Sequence, residues 1–420
     1  MKVSILAIGS TGDVRPCVML SKELIKRGHE VIIVTYDRFE SFVKSVGADF
    51  AEFPGDIDEV MHIAANPNVG PFELMKKMRD YMGDLKDDIE RVLLDSFEGS
   101  DIVVYANSVS SMAVYIAERL KIPYVRLNYY PDLESSDVTP PVYPKLPMPK
   151  FLKSFYNRMA NKISYHLAIN ICRKPLKSWV TKYDLPKTKY FYTRGDGKPM
   201  DHLMAYSETI CPRSKEYGEN VHICGYLFED KADVDYTPND ELKDFLNAGE
   251  PPVYIGFGSM IDGSFEELRK LIINALEISG KRAIISKGWG GFSEENLPDN
   301  IYMVDYCPHD WLFEQVSAVV HHGGAGTTAA GLRAGKPTVI IPFGADQTFW
   351  GDQINKLGCG PKPIKRKKLN AKKLAKALIE TDSPEMQQRA RDIADKLAQE
   401  DGVKNACDVA EKIAAEGWKL

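Results

Sequence analysis

The chain alternates short apolar runs with helical segments, and it does so in two separate series. The first opens with "KVSILAIG" at Lys2, continues through the helix-patterned "PCVMLSKELIKRG" that closes on Gly28, and returns to "EVIIVTY" at Glu30. Gly28 fits a helix C-cap. Strand, helix, strand in this order calls for a parallel pair, because neighbouring strands that run the same way need a crossover between them. "DIVVYA" (101–106) and "PYVRLN" (123–128) repeat the unit, with a helix from about Met112 to Leu120 between them. The second series runs "VYIGFGS", "RAIISKG", "IYMVDY", "SAVVHH" and "PTVIIPF", from Val253 to Phe343. A chain of 420 residues is too long for one ordinary core. The pattern predicts an α/β protein of two parallel-sheet halves. The expected boundaries are 1–234, 235–383 and a helical tail, 384–420, that packs back on the first half. "FEDKADVDYTPNDELKDFLNAGEPP" (228–252) supplies the linker and an acidic helix.

Composition narrows the function classes. Lys+Arg number 54 against Asp+Glu 59, a net charge of −5, and the basic "IKRKKL" around Lys365 is short. Nucleic acid is therefore not an expected partner. Seven scattered cysteines form no CxxC pair, which suits a reducing, cytoplasmic setting. The opening apolar run breaks at Gly9, too early for a signal peptide or a membrane span. At most peripheral membrane contact is expected. One stretch, "YYPDLESSDVTPPVYPKLPMP" (129–149), is too rich in proline for regular helix or central strand. It reads as a pocket wall or a surface connection.

The chemistry concentrates in "SAVVHHGGAGTTAAGLRAGKP" (317–337). "SAVV" is a short buried strand, and "TTAAGLRAG" a helix that Gly335 and Pro337 end. Between them lies "HHGGAG". A glycine-rich turn before a helix presents free N–H groups and the positive end of the helix dipole, so it can seat an anion. No Gly-Lys-Ser/Thr follows, so this is no Walker loop, and the spacing of Gly323, Gly324 and Gly326 is not the dinucleotide fingerprint. His322, beside the glycines, reads as a ligand contact that can donate to a phosphate without lysine's permanent charge. His321 reads as a core histidine. Asp346 and Gln347 follow the next strand, where a carboxylate and an amide suit vicinal sugar hydroxyls or, for Asp346, a helix cap. Tyr306 could stack on a planar base.

The run "YCPHDWLF…VVHHGGAGTTAAGLRAGKPTVIIPFGADQTFWGDQ" resembles the donor-binding box of UDP-sugar glycosyltransferases of the GT-B fold. That fold has two Rossmann-like α/β/α domains facing a central cleft. The resemblance is to the sterol glucosyltransferase branch and to the antibiotic macrolide and glycopeptide transferases. "GSTGDVRP" (Gly9 to Pro16) resembles the N-terminal motif of the same branch. The resemblance implies that His322, Gly324, Ala325, Gly326 and Thr327 bind the donor diphosphate, with Ser259 reaching it from across the cleft. It implies that Tyr306, Cys307 and His309 hold the uridine, and that Asp346 and Gln347 hold the sugar. Asp13 matches the proposed general base. Plant-type members carry a His there, with an Asp relay near the position of Ala106 or Asn107, and a Glu for the ribose where this chain has Ala330. A carboxylate base needs no partner to fix a tautomer, so the missing relay is consistent with Asp13.

The implied reaction is an inverting transfer of a hexose, glucose by resemblance, from a UDP-sugar to a hydroxyl of a hydrophobic small molecule such as a sterol, polyphenol or polyketide. UDP-glucose is then a co-substrate, with no cofactor and no metal; the one DxD-like sequence, Asp233–Asp235, lies in the acidic linker. Three rivals stay open at the level of sequence. One is another GT-B transferase acting on a lipid-linked or cell-wall precursor. Another is a silent sugar-nucleotide binder. The third is an NAD(P)-dependent oxidoreductase, because "AIGSTGD" opens a β-α-β unit with Asp37 at the next strand's end.

Overall fold

The computed structural model describes residues 1–56, 71–107, 109–139, 141, 148–173, 176–185, 193–230, 236–258, 265–287, 297–305, 307–344 and 346–418. The chain forms two units. One comprises Met1–Glu208, Pro212–Phe228 and Asp401–Leu420, the other Thr209–Cys211 and Glu229–Glu400.

The first unit is built on a sheet of seven strands: β1 (Lys2–Leu6), β2 (Glu30–Thr35), β3 (Asp49–Glu52), β4 (Ile102–Ala106), β5 (Tyr124–Asn128), β6 (Asp201–Met204) and β7 (Val221–Ile223). Their order is β3-β2-β1-β4-β5-β6-β7, and every pairing is parallel. β1, β4 and β5 are buried along nearly their whole length because helices cover both faces of such a sheet. The strand order reverses between β1 and β4, and the carboxyl edge beside such a reversal is where open α/β sheets bind ligands. Helix Thr11–Lys26 starts there, directly after β1. Helix Gly402–Glu416, the second half of the amphipathic tail, packs on Thr11–Lys26, burying Ala406, Cys407, Ala410 and Ile413 in this unit's core. Arg27 binds Asp408 and Glu411 at the edge of that contact.

The second unit repeats the plan with β8 (Val253–Gly256), β9 (Ala283–Ser286), β10 (Ile301–Val304), β11 (Ala318–His321) and β12 (Thr338–Ile340). The order is β10-β9-β8-β11-β12, again all parallel, with the reversal between β8 and β11. Helix Ala325–Arg333 leaves the carboxyl end of β11, and helix Gln347–Leu357 follows β12. The first tail helix, Pro384–Leu397, packs on Ala325–Arg333 within this unit. The tail is thus two helices that part at Asp401, the N-cap of the second.

Candidate functional sites

Each unit places one group of polar residues at its strand-order reversal. In the second unit the group is the glycine turn. His321 is fully buried, and its Nδ1 accepts the Gly323 N–H at 3.0 Å, which leaves the proton on Nε2. It is a core histidine that shapes the turn. Gly323 has φ +96, and a Cβ there would lie 2.7 Å from Ile340 Cγ2 and 2.9 Å from the Gln347 carbonyl oxygen. Only glycine allows this backbone and this approach, which bring the turn against the start of the next helix.

His322 lies over the helix mouth. A Cβ on Gly324 would be 2.6 Å from His322 Nε2, so the absent side chain makes room for the imidazole. Gly324 is the N-cap of Ala325–Arg333, with its carbonyl accepting the Thr328 N–H at 2.9 Å. The N–H groups of Ala325, Gly326 and Thr327 belong to the first helical turn, which lacks intrahelical acceptors. Gly326 is exposed, and a Cβ there would meet nothing within 4 Å. Burial holds the His322 pKa down, to about 4, so the ring is neutral at pH 7 and carries a single N–H. The backbone of the loop after β8 lies beside it: a Cβ on Gly258 would be 3.8 Å from His322 Cε1. Imidazole, open helix N-terminus and missing side chain thus converge at one place, a geometry able to accept an anion. Ser259 and Tyr306 lie outside the described residues, as do Asp233–Asp235.

Four other sequence candidates carry buried or paired side chains. Cys307 is buried among Tyr254, Phe313 and Ala330, its thiol pushed up to about 11 by that burial. His309 stacks on Phe313 at 4.5 Å and reaches Tyr254 Oη at 3.4 Å. Gln347 is 5% exposed, and its Oε1 accepts the Phe343 and Gly344 N–H groups at 2.7 and 3.1 Å. It anchors the turn after β12. Asp346, the N-cap residue of Gln347–Leu357, makes no capping bond; its Oδ2 accepts from Trp350 Nε1 at 2.8 Å. Ala330 is buried in the same small core as Cys307.

In the first unit the group centres on Asp13. Helix Thr11–Lys26 begins after the N-cap Ser10, which puts Asp13 in the first turn rather than at the cap. Its Oδ2 accepts from the Ser10 N–H at 2.8 Å and Ser10 Oγ at 3.0 Å, one arm of a capping box. Its Oδ1 accepts from Asn107 Nδ2 at 3.1 Å, and that same amide donates to the Ile8 carbonyl at 3.1 Å. Asn107 has φ +56, a left-handed conformation that asparagine tolerates better than most residues. The part-buried Asp13 thus has the partner at position 107 that a bare carboxylate does not require. Burial raises the Asp13 pKa, against the opposing bonds from Ser10 and Asn107. The carboxylate also lies over Gly9, where φ is +142 and a Cβ would be 2.3 Å from Oδ2. This argues against a dinucleotide here: an anion already occupies the helix N-terminus that a pyrophosphate would need.

Among the described residues, no group of three or more His, Cys, Asp or Glu side chains could hold a metal ion. Six cysteines among the described residues are buried.

Comparison with known proteins accounts for both units. Residues 3–134 match the family model described as glycosyltransferase family 28 N-terminal domain, and residues 290–413 that of the erythromycin biosynthesis protein CIII-like C-terminal domain. Among solved structures, the calicheamicin glycosyltransferase CalG4 aligns with a TM-score of 0.71 at 17% identity, covering 99% of this chain and 98% of that one. The glycosyltransferase VinC, solved with dTDP, aligns at 0.66 and 18% identity, over 99% and 100%. These likenesses define the fold as that of the GT-B glycosyltransferases. Sterol 3-beta-glucosyltransferase UGT80B1 of Arabidopsis thaliana is 34% identical over 97% of this chain and 67% of its own length. The sterol 3-beta-glucosyltransferase of Saccharomyces cerevisiae is 35% identical over 96% of this chain and 34% of its own. The chain belongs to the sterol glucosyltransferase family. It spans 67% and 64% of two Arabidopsis relatives and about a third of the yeast protein.

Proposed function

We propose that the protein transfers a hexose, with glucose the first choice, from a UDP-sugar to a hydroxyl of a hydrophobic acceptor of the sterol, polyphenol or polyketide kind, with inversion. The observation that carries this reading is the seating of the His322 imidazole over Gly324 at the open N-terminus of Ala325–Arg333. That seat suits a leaving diphosphate: the N–H groups of Ala325, Gly326 and Thr327 and the helix dipole meet the growing charge. A neutral His322 donates one hydrogen bond to the same oxygens. Asp13 takes the acceptor's proton as general base, and the raised pKa that burial gives it makes it a stronger base than an exposed aspartate. The acceptor oxygen bonds to the anomeric carbon as the bond to UDP breaks, so an α-linked donor gives a β-glycoside.

In this reading Asp346 and the Gln347 amide nitrogen meet the sugar, the backbone of Cys307 meets uracil, and Ser259, Tyr306 and His309 complete the donor site. The reaction needs no cofactor and no metal, since the helix N-terminus carries the anion. The protein works in the cytoplasm. The test is a panel of sterols, polyphenols and polyketides incubated with UDP-glucose in EDTA and followed by mass spectrometry. The expected result is a hexosylated product with stoichiometric UDP. Hydrolysis of UDP-glucose without acceptor glycosylation, or activity only after Mg²⁺ or Mn²⁺ is restored, would overturn it.

A further inference from the structure

We propose that the helix Lys150–Arg173 in the first unit docks the protein on the surface of an anionic lipid bilayer. The helix is amphipathic in the inverted sense. Its buried face carries Asn157, Ala160 and Asn161, and the two asparagines tie down the loop that precedes the helix. Asn157 Nδ2 donates to the Ser136 carbonyl at 3.1 Å, and Asn161 Nδ2 to those of Ser135 and Val138 at 3.2 and 3.1 Å. Its outer face carries the apolar side chains. Phe151 is 77% exposed, Phe155 68%, Met159 40% and Ile163 44%. A four-residue spacing puts these side chains on one stripe. Leu152, also exposed, widens it at the N-terminal end.

Apolar groups left in water along a helix face mark an interaction surface. Charge says what covers this one. Between Val138 and Tyr183 the sequence holds nine Lys or Arg and no Asp or Glu, in a chain whose overall charge is −5. Lys153, Arg158 and Lys162 are exposed on the described part of the helix. Arg158 meets Glu216 at 2.8 Å, and Lys153 falls on the Asn157 row, away from the stripe, so Lys162, three residues on from Met159, is the cation beside it. A second copy of the same stripe would bring like charges together. A membrane surface with anionic headgroups meets both demands: it solvates phenylalanine at the acyl boundary and pairs lysine with phosphate. No described helix is long and apolar enough to cross a membrane, so the contact is a surface one.

The test is co-sedimentation of the full chain with large vesicles of phosphatidylcholine, alone or with phosphatidylserine. No donor or acceptor is present, so failure here leaves the proposed transfer untouched. The wild type is expected to bind the mixed vesicles, and salt should weaken that binding. Phe151→Ser with Phe155→Ser should weaken it on the order of 100-fold, from the apolar area withdrawn. Lys162→Glu should weaken it by at least about fivefold. Both phenylalanines are mostly exposed, so the double variant should keep the wild-type circular dichroism and Tm. Three results would overturn the proposal: equal binding to neutral and anionic vesicles, wild-type binding by the double variant, or a concentration-dependent dimer that the double variant abolishes while no vesicle binding is seen.

Discussion

At the scale of single residues the account turns on Asp13. Its carboxylate does two things at once: Oδ2 holds the Ser10 N–H and hydroxyl, and Oδ1 holds the Asn107 amide. Asparagine at this position keeps one oxygen for the Ser10 N–H and hydroxyl, while its amide nitrogen faces the Asn107 Nδ2 donor and loses that bond. Because burial raises the Asp13 pKa, the ionised carboxylate costs the fold stability: the cost is absent below the ordinary aspartate value, grows from there as pH rises to the folded pKa, and is full above it. In Asp13→Asn the removed charge penalty and the lost Asn107 bond oppose each other, so its Tm at neutral pH should stay close to wild type. It should lose on the order of 10²–10⁴ in turnover with alcohol acceptors, the usual worth of a general base, and less with acidic phenols. The wild-type kcat/KM should fall on the acid side with an apparent pKa above the ordinary carboxylate value, and the variant should lack that limb. Unchanged turnover would remove Asp13 from catalysis.

At the scale of elements, the helix Ala325–Arg333 separates stability from binding. Gly326 lies in its first turn with open space where a Cβ would go. Gly326→Ala should stabilise the fold by about 0.5–1 kcal/mol through helix propensity. The same methyl group fills the approach to the N–H groups, so UDP affinity should drop. Denaturant unfolding and UDP titration on one sample decide it, and unchanged affinity would move the anion away from this helix. The turn after β12 gives a second case. Gln347 reads in sequence as a sugar ligand, yet its Oε1 is spent on two backbone N–H groups. Gln347→Glu keeps that acceptor, removes the amide donor and adds a carboxylate charge held by the two N–H groups. It should preserve UDP affinity while raising KM for the sugar nucleotide, whereas Gln347→Ala should also lower stability by about 1–3 kcal/mol by leaving the N–H groups unpaired. If Gln347→Glu transfers glucose as well as wild type, the residue is an anchor only.

At the scale of the whole molecule, the two parallel sheets are legible because β1, β2, β4 and β5 and all five strands of the second unit read as apolar runs between helices. β3, β6 and β7 escape that reading. "DFAE", "DHLM" and "VHI" are too short or too mixed in polarity to show a period, and they are strands because neighbours offer them an edge. The glycine turn before helix Ala325–Arg333 is legible too, since a glycine cluster between an apolar run and a helical pattern marks a strand-to-helix turn. The Asn107 bond to Asp13 is not: the partners stand 94 residues apart, and only the pairing of β1 with β4 brings them together. The inverted helix at Phe151 also escapes, because periodicity tells which residues share a face and not which face turns inward. The central claim is that the donor's diphosphate sits on His322 and the helix behind it, and calorimetric titration of UDP-glucose tests it most directly. The account predicts that His322→Ala weakens binding by about tenfold or more, the worth of a hydrogen bond to a charged group, while Asp13→Asn binds as wild type. Wild-type affinity in His322→Ala, or a matching loss in Asp13→Asn, would contradict it.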